Sequence, residues 1–278
     1  MPNSCVIVPL HNLNLKLNQP LDFGDGLTLS KLPTCVGESG FLKYLGSNDR
    51  AALNYATVAF IGGDYEHAVL ANLALWLAQP SPACFNYTFS ASLIVERWEL
   101  QQCDRYSPLL CHPNNKNVEI SEEDIHQAIA LYKILTDLPK ENAIWTAVHS
   151  TWIALQMALE HVRYLLFWIA LEALYGPEDG REITFRLAQR IAFFLGKNAS
   201  DAENIFKCAK NGYSFRSKVA HGKWKSSPKS NELTAEIENF VRQSLSQILL
   251  NPSLKTHFIG KNREGYLDSL VFESNWTK

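Results

Sequence analysis

The hydrophobic pattern changes period part-way along the chain. Residues 12–18, Asn-Leu-Asn-Leu-Lys-Leu-Asn, alternate strictly and predict a strand with one buried face. Phe23-Gly-Asp-Gly26 reads as a tight turn, and alternation resumes over 27–32, so a strand–turn–strand unit is expected. A short apolar run over 56–61 ends at Gly62-Gly63 and suits a further strand. Over 67–79 the apolar residues Val69, Leu70, Leu73, Trp76 and Leu77 fall at helical spacing, and Pro80-Ser-Pro82 closes that helix. Residues 85–98 read as one or two more strands.

Beyond the polar segment 112–117 the period is helical. Ser121-Glu-Glu-Asp124 is a helix start, a serine followed by acidic residues in the first turn. The helix it opens should run to about 138, where Pro139 follows. Further helices are expected over 142–157, 159–175, 182–195, 200–211 and 232–250, the last stopped by Asn251-Pro252. A stretch over 213–221 is either a separate helix or a continuation of the one before it. The expected fold is therefore α+β and predominantly α. A small strand-rich module, 1–117, precedes an all-α helical bundle, 118–278, with the boundary in the polar segment.

Composition narrows the function classes. Of the 278 residues, 46% are hydrophobic and 19% charged, the balance of an ordinary globular protein. A net charge of −2 argues against a nucleic-acid binder that works through bulk positive charge, while leaving room for a local basic groove. Cys5, Cys35, Cys84, Cys103, Cys111 and Cys208 form no Cys-x-x-Cys and read as small apolar groups in a reducing, cytoplasmic setting. The N-terminus lacks the charged start and long apolar run of a signal peptide. The most apolar stretch, 164–175, is too short to span a bilayer and carries Glu172, so no membrane partner is expected. Cys103, Cys111 and His112 match no common zinc spacing, and there is no P-loop and no Gly-x-Ser-x-Gly elbow. Neither a metal nor a cofactor is expected. Trp145, Trp152 and Trp168 read as core or dimer packing.

The chemistry concentrates in Tyr213-Ser-Phe-Arg216-Ser217-Lys218-Val219-Ala220-His221-Gly222. Arginine presents a planar fork of donors that matches a phosphate. Histidine passes protons near neutral pH. Together they suit metal-free RNA cleavage with the ribose hydroxyl as nucleophile. The pair alone is weak, since about 0.3 such spacings arise by chance in a chain of this composition. On a helix, residues five apart lie about 140° around the axis and about 7.5 Å along it. One helix therefore does not present Arg216 and His221 as a single stripe.

Three elements in order resemble the HEPN superfamily, in particular its Apea-like branch. They are Phe167-Trp-Ile-Ala-Leu-Glu172-Ala-Leu-Tyr175, the helix Arg186-Leu-Ala-Gln-Arg190-Ile-Ala-Phe-Phe-Leu195, and the Tyr213–Gly222 motif. The resemblance covers 165–250 and extends more weakly to the N-terminal part. It implies an endoribonuclease that acts as a homodimer, pairing two motifs across one cleft on RNA. His221 is then the general acid or base, Arg216 the phosphate ligand, Ser217 a polar residue orienting arginine or substrate, and Glu172 the carboxylate holding Arg216. Helices 159–175 and 200–221 should pack antiparallel. Tyr213, Lys218, Lys223 and Lys225 are the expected substrate-binding residues. The resemblance also implies a toxin-like or phage-defence effector, its N-terminal module sensing a protein or ligand trigger. The alternative is a non-catalytic module that binds RNA, nucleotide or a protein and dimerises. In that case Arg216–Glu172 is a structural ion pair and His221-Gly222 a helix cap.

Overall fold

The computed structural model of the chain describes residues 4–13, 15, 17–37, 43, 56–80, 83–94, 97–105, 120–260 and 262–273. The chain divides into two compact units, Met1–Asp137 and Leu138–Lys278.

Among the described residues, the first unit is built on a six-stranded antiparallel sheet. Its strands are β1 (Ser4–Leu10), β2 (Leu21–Gly24), β3 (Leu27–Lys31), β4 (Val58–Ile61), β5 (Tyr87–Ile94) and β6 (Arg97–Arg105). They lie in the order β2-β3-β4-β1-β5-β6, with Ile7 of β1 opposite Ile61 on one side and Phe89 on the other. Both faces are buried. Ile7, Ala59, Phe89 and Ala91 pack on one face with Val36 of the short helix α1 (Thr34–Gly37). On the other, Phe23 meets Phe60 edge-on at 5.2 Å and Tyr132 of helix α3 (Glu122–Thr136) at 5.7 Å. Helix α2 (Tyr65–Ala78), capped by the Asp64 carboxylate, packs against α3 and is buried throughout 68–77. A helix apolar all round belongs inside a core.

The turn expected at Phe23–Gly26 joins β2 to β3. Asp25 (φ 52°) and Gly26 (φ 75°) are both left-handed, as the two-residue turn matching strand twist requires. The strand expected over 12–18 is not found: none of its described residues is in a strand, although Leu13 and Leu17 are buried. The strand is β1 instead, which includes Pro9. Gly62 donates its N–H to the Val6 carbonyl, so Pro9 sits opposite Ala59 where the β4 ladder needs no donor, and pairing with β5 ends at Ile7.

The expected domain boundary, 112–117, lies outside the described residues. The division between units falls after Asp137, so α3 goes with the sheet and not with the bundle. Its start is as expected: Ser121 and Asp124 form a reciprocal capping box.

The second unit consists of α4 (Ala143–Gln156), α5 (Glu160–Tyr175), α6 (Ile183–Leu195), α7 (Ala199–Ala220), α8 (Pro228–Leu250), α9 (Pro252–Ile259) and α10 (Arg263–Glu273). α4 pairs with α5, α6 pairs with α7, and α8 packs against α5, α6 and α7. Val148, Phe167, Leu171, Ile191, Ile237 and Leu245 are fully or almost fully buried in this core. A buried ion pair, Arg163–Glu238 at 2.8 Å, ties α5 to α8. Arg190 of α6 is 2% exposed and donates to the Tyr175 carbonyl, Glu264 and Asp268, which fastens α10. Neither α9 nor α10 was expected. Asn251-Pro252 stops α8, but the Asn251 carboxamide also accepts from the N–H groups of Ser253 and Leu254 and starts α9.

The turn between β4 and α2 is locked against the hairpin. At Gly62 (φ 93°) a Cβ would lie 2.0 Å from the Gly26 carbonyl oxygen, whereas at Gly26 it would meet nothing within 4 Å. Gly26→Ala should cost only the strain of a positive φ, about 1 kcal/mol. Gly62→Ala should cost at least twice that. Equilibrium urea unfolding of the two variants checks the order, and equal midpoints would show that the two loops are not in contact.

Candidate functional site

α7 is one unbroken helix that carries Tyr213 to Ala220 on its last turns, with His221-Gly222 at its C-terminal cap. Asn198 caps its start by accepting from the Asp201 N–H at 2.9 Å. It contains Gly212, a residue that costs about 1 kcal/mol in a helix interior. The reason is close approach. A Cβ there would stand 2.9 Å from Trp168 Cζ2 and 3.1 Å from Ile237 Cδ1, and the Tyr164 hydroxyl donates to the Gly212 carbonyl at 2.7 Å.

That crossing sets out the motif. Tyr213 packs edge-on against Trp168 with ring centroids 5.2 Å apart. One turn on, Arg216 Nη2 reaches Glu172 Oε1 of α5 at 3.0 Å, and its guanidinium lies over the Tyr213 ring at 5.6 Å. The two charged side chains are 28% and 25% exposed, so water screens the pair, and its worth is about 0.5–1 kcal/mol. Burial first, and then the Glu172 charge, hold the Tyr213 phenol above its ordinary range, so it stays protonated. Contacts at this crossing run Tyr164–Gly212, Trp168–Tyr213, Glu172–Arg216. They ascend both chains together, so the antiparallel packing expected of α5 and α7 is not what brings Glu172 to Arg216.

His221 is the C-cap residue of α7 (φ −94°, ψ 22°) and is exposed. Gly222 follows at φ 74°. Its N–H bonds the Val219 carbonyl, and the Lys223 N–H bonds the Lys218 carbonyl, both at 2.9 Å. These are the two bonds of a Schellman motif, so the His-Gly pair is a helix cap in addition to whatever chemistry the histidine performs. Among the described residues no hydrogen bond or ion pair joins the His221 ring to Arg216 or Glu172. After the cap, Trp224 turns back onto Tyr164 (6.0 Å), Phe215 (5.6 Å) and His161 (6.2 Å), and the Ser226 hydroxyl donates to Glu160. The segment bearing Lys223 and Lys225 is thereby fixed to α5.

No family model, curated protein or solved structure matches the chain. The site therefore stands on its own geometry. Arg216 and Glu172 are together, and His221 is an exposed neighbour at the end of the same helix. Lys218, Lys223 and Lys225 are all exposed at that end, and Lys225 lines a groove beside it. Ser217 is exposed, with no hydrogen bond from its hydroxyl to Arg216 among the described residues. Tyr213 is only 8% exposed, with one neighbour on its ring and another at its edge, so it packs and steadies Arg216 rather than offering a free face.

The other expected constellations separate. Trp168 is fully buried, whereas Trp145 stacks on exposed His149 with rings 6.3 Å apart. Cys111 and His112 lie outside the described residues. Among the described residues no three His, Cys, Asp or Glu side chains are grouped as metal ligands. No described helix is long and apolar enough to cross a membrane. The structural partners that sequence reasoning missed are Gly212, Tyr164 and Trp224. A glycine inside an otherwise helical stretch was the available signal for the first.

Gly222 has nothing within 4 Å of an added Cβ, so its role is conformational alone. Gly222→Ala should destabilise the second unit by about 1 kcal/mol, and Gly222→Asn by less, because asparagine tolerates the left-handed region. Denaturant titration followed by circular dichroism reads both. Equal losses would mean that the cap is not held by its dihedral angle.

Proposed function

We propose that the chain is a metal-independent endoribonuclease of HEPN type. Its site would be formed where the ends of two α7 helices meet in a homodimer. The observation that carries this reading is the guanidinium of Arg216, steadied by Glu172 and Tyr213 yet left partly open to solvent, with His221 free and exposed on the same helix end. A buried arginine or an occluded histidine would have counted against it.

In this reading the 2′-hydroxyl of the substrate ribose attacks phosphorus and the bond to the 5′-oxygen breaks. A 2′,3′-cyclic phosphate and a 5′-hydroxyl result. His221 takes the proton of the 2′-hydroxyl or supplies one to the departing 5′-oxygen. Arg216 neutralises the charge that builds on the non-bridging oxygens, a contact stronger in the transition state than before it. Lys218, Lys223 and Lys225 hold flanking phosphates. Residues five apart on an ideal helix lie about 140° apart around its axis, and no hydrogen bond or ion pair joins Arg216 to His221 among the described residues. A two-fold axis resolves this, because arginine from one copy and histidine from the other then face one cleft. The role of toxin-like or phage-defence effector, triggered through the first unit, rests on the resemblance alone.

One observation favours a second reading, a non-catalytic binding module. Glu172 already neutralises Arg216, and the His221-Gly222 turn is already used as a cap, so both have structural work without any substrate.

The test compares the wild-type chain with His221→Ala and Arg216→Ala on total RNA in EDTA, after circular dichroism and sedimentation have shown equal folding and assembly. The expected result is cleavage by the wild type and at least a hundredfold loss in each variant. Cleavage that survives both substitutions removes the assigned residues. Intact RNA with folded, dimeric wild type leaves the binding module as the reading.

A further inference from the structure

α5 turns an apolar face to solvent. Its 16 residues span about 24 Å. Leu159, at its amino end, is 58% exposed and Ile169 is 40% exposed, while Val162, Leu165, Leu166 and Ala173 are half-buried. On a helix these positions fall within about 120° of arc. No charged or hydrogen-bonding side chain of α5 falls in that arc. A helix at a protein surface ordinarily carries its polar residues there. The polar side chains of α5 are engaged elsewhere. Arg163 is buried against Glu238, Glu160 accepts from Ser226, and His161 lies beside Trp224. Glu172 stands at one edge of the face, where it holds Arg216.

The spacing within the face says what covers it. Leu159, Val162, Leu166, Ile169 and Ala173 follow one another at intervals of three, four, three and four. That is the seam along which two nearly aligned helices interlock. A lipid surface needs no such spacing, and a helix lying on one carries lysine and arginine along its polar side. α5 has no lysine, and its one arginine is buried. The seam also fits itself. Laid antiparallel on a second copy, with Leu166 opposite Ile169, Val162 falls opposite Ala173 and Leu159 opposite Gly176. A larger side chain then meets a smaller residue in each outer layer. Glu172 is the ionised group nearest the seam, and its pairing with Arg216 in the same chain relieves the like-charge repulsion between two copies.

We infer that this face of α5 packs antiparallel on the same face of a second copy, as the centre of a two-fold homodimer. A two-fold axis between antiparallel helices sets the same edge of each against the same edge of the other. Both α7 helices therefore lie on one side of the seam. The two Glu172 residues stand about 14 Å apart along it, each with its Arg216. Two motifs then flank one cleft that a single copy cannot form, and this consequence for the site rests on the ribonuclease reading.

Sedimentation velocity of the full chain at micromolar concentration tests the inference. The wild type should sediment as a particle of twice 31.4 kDa. Ile169→Asp, at an exposed position, should weaken self-association at least a hundredfold with the circular dichroism unchanged, because it puts a carboxylate into the seam. Leu166→Lys should do the same. Mixed together, the two variants should pair again, since the new ammonium and the new carboxylate face each other across one layer. A monomeric wild type, a dimer indifferent to both substitutions, or variants that do not restore each other overturns the inference. So does a wild type that stays monomeric and floats with phospholipid vesicles, which would put the face on lipid. A dimer broken by Ile169→Asp whose wild type leaves RNA intact upholds the interface and rejects the ribonuclease reading. RNA cut as fast by monomeric Ile169→Asp as by the wild type upholds the interface and overturns its part in the site.

Discussion

The arrangement of the candidate site depends on how closely α7 can approach α5. That distance is set at Gly212, where the absence of a side chain lets the helix backbone lie against Trp168 and the Tyr164 hydroxyl reach its carbonyl. Any larger residue would wedge the helices apart, because the neighbours are a buried tryptophan and a buried isoleucine that have nowhere to move. The separation of Arg216 from Glu172 follows from that contact. A glycine that weakens α7 by its propensity thus places an ion pair one turn further on. The helix tolerates it because α7 is long, capped at both ends and packed against α5, α6 and α8.

Polarity at the motif is graded. Tyr213 and Gly212 are inside, Arg216 and Glu172 are at the boundary, and Ser217, Lys218, His221 and Lys223 are in solvent. Arg216 is therefore restrained on its inner side by an aromatic ring and a carboxylate, while its outer side remains open. This gradient follows from a helix whose inner face rides on α5 while its last turn runs past the edge of the core.

Much of the fold was legible in the sequence where local chemistry is decisive. The Asp25-Gly26 turn and the Ser121–Asp124 capping box each specify one local conformation, and the elements they bound are found. Legibility failed where a local signal has two meanings or is overruled at long range. The alternation over 12–18 buries Leu13 and Leu17 without joining a ladder, whereas β1, interrupted by Pro9, occupies the middle of the sheet because it has partners on both sides. The assignment of α3 to the sheet unit depends on Tyr132 meeting Phe23 more than a hundred residues earlier in the chain, which no periodicity announces. For the site, the residue types and the Glu172–Arg216 partnership were legible. The close approach at Gly212 and the anchoring of the segment after the cap by Trp224 were not, because each is a fact of tertiary packing.

The guanidinium of Arg190 sits almost wholly inside the second unit, and two of its three acceptors come from α10. A buried cation without its counter-charges is far more costly than one with them. α10 thus supplies both the cover and the counter-charges of this guanidinium, and only the Tyr175 carbonyl is contributed from elsewhere in the unit. The end of the chain is therefore a structural part of the bundle that carries Arg216 and Glu172, although among the described residues α10 contributes no ion pair to either residue.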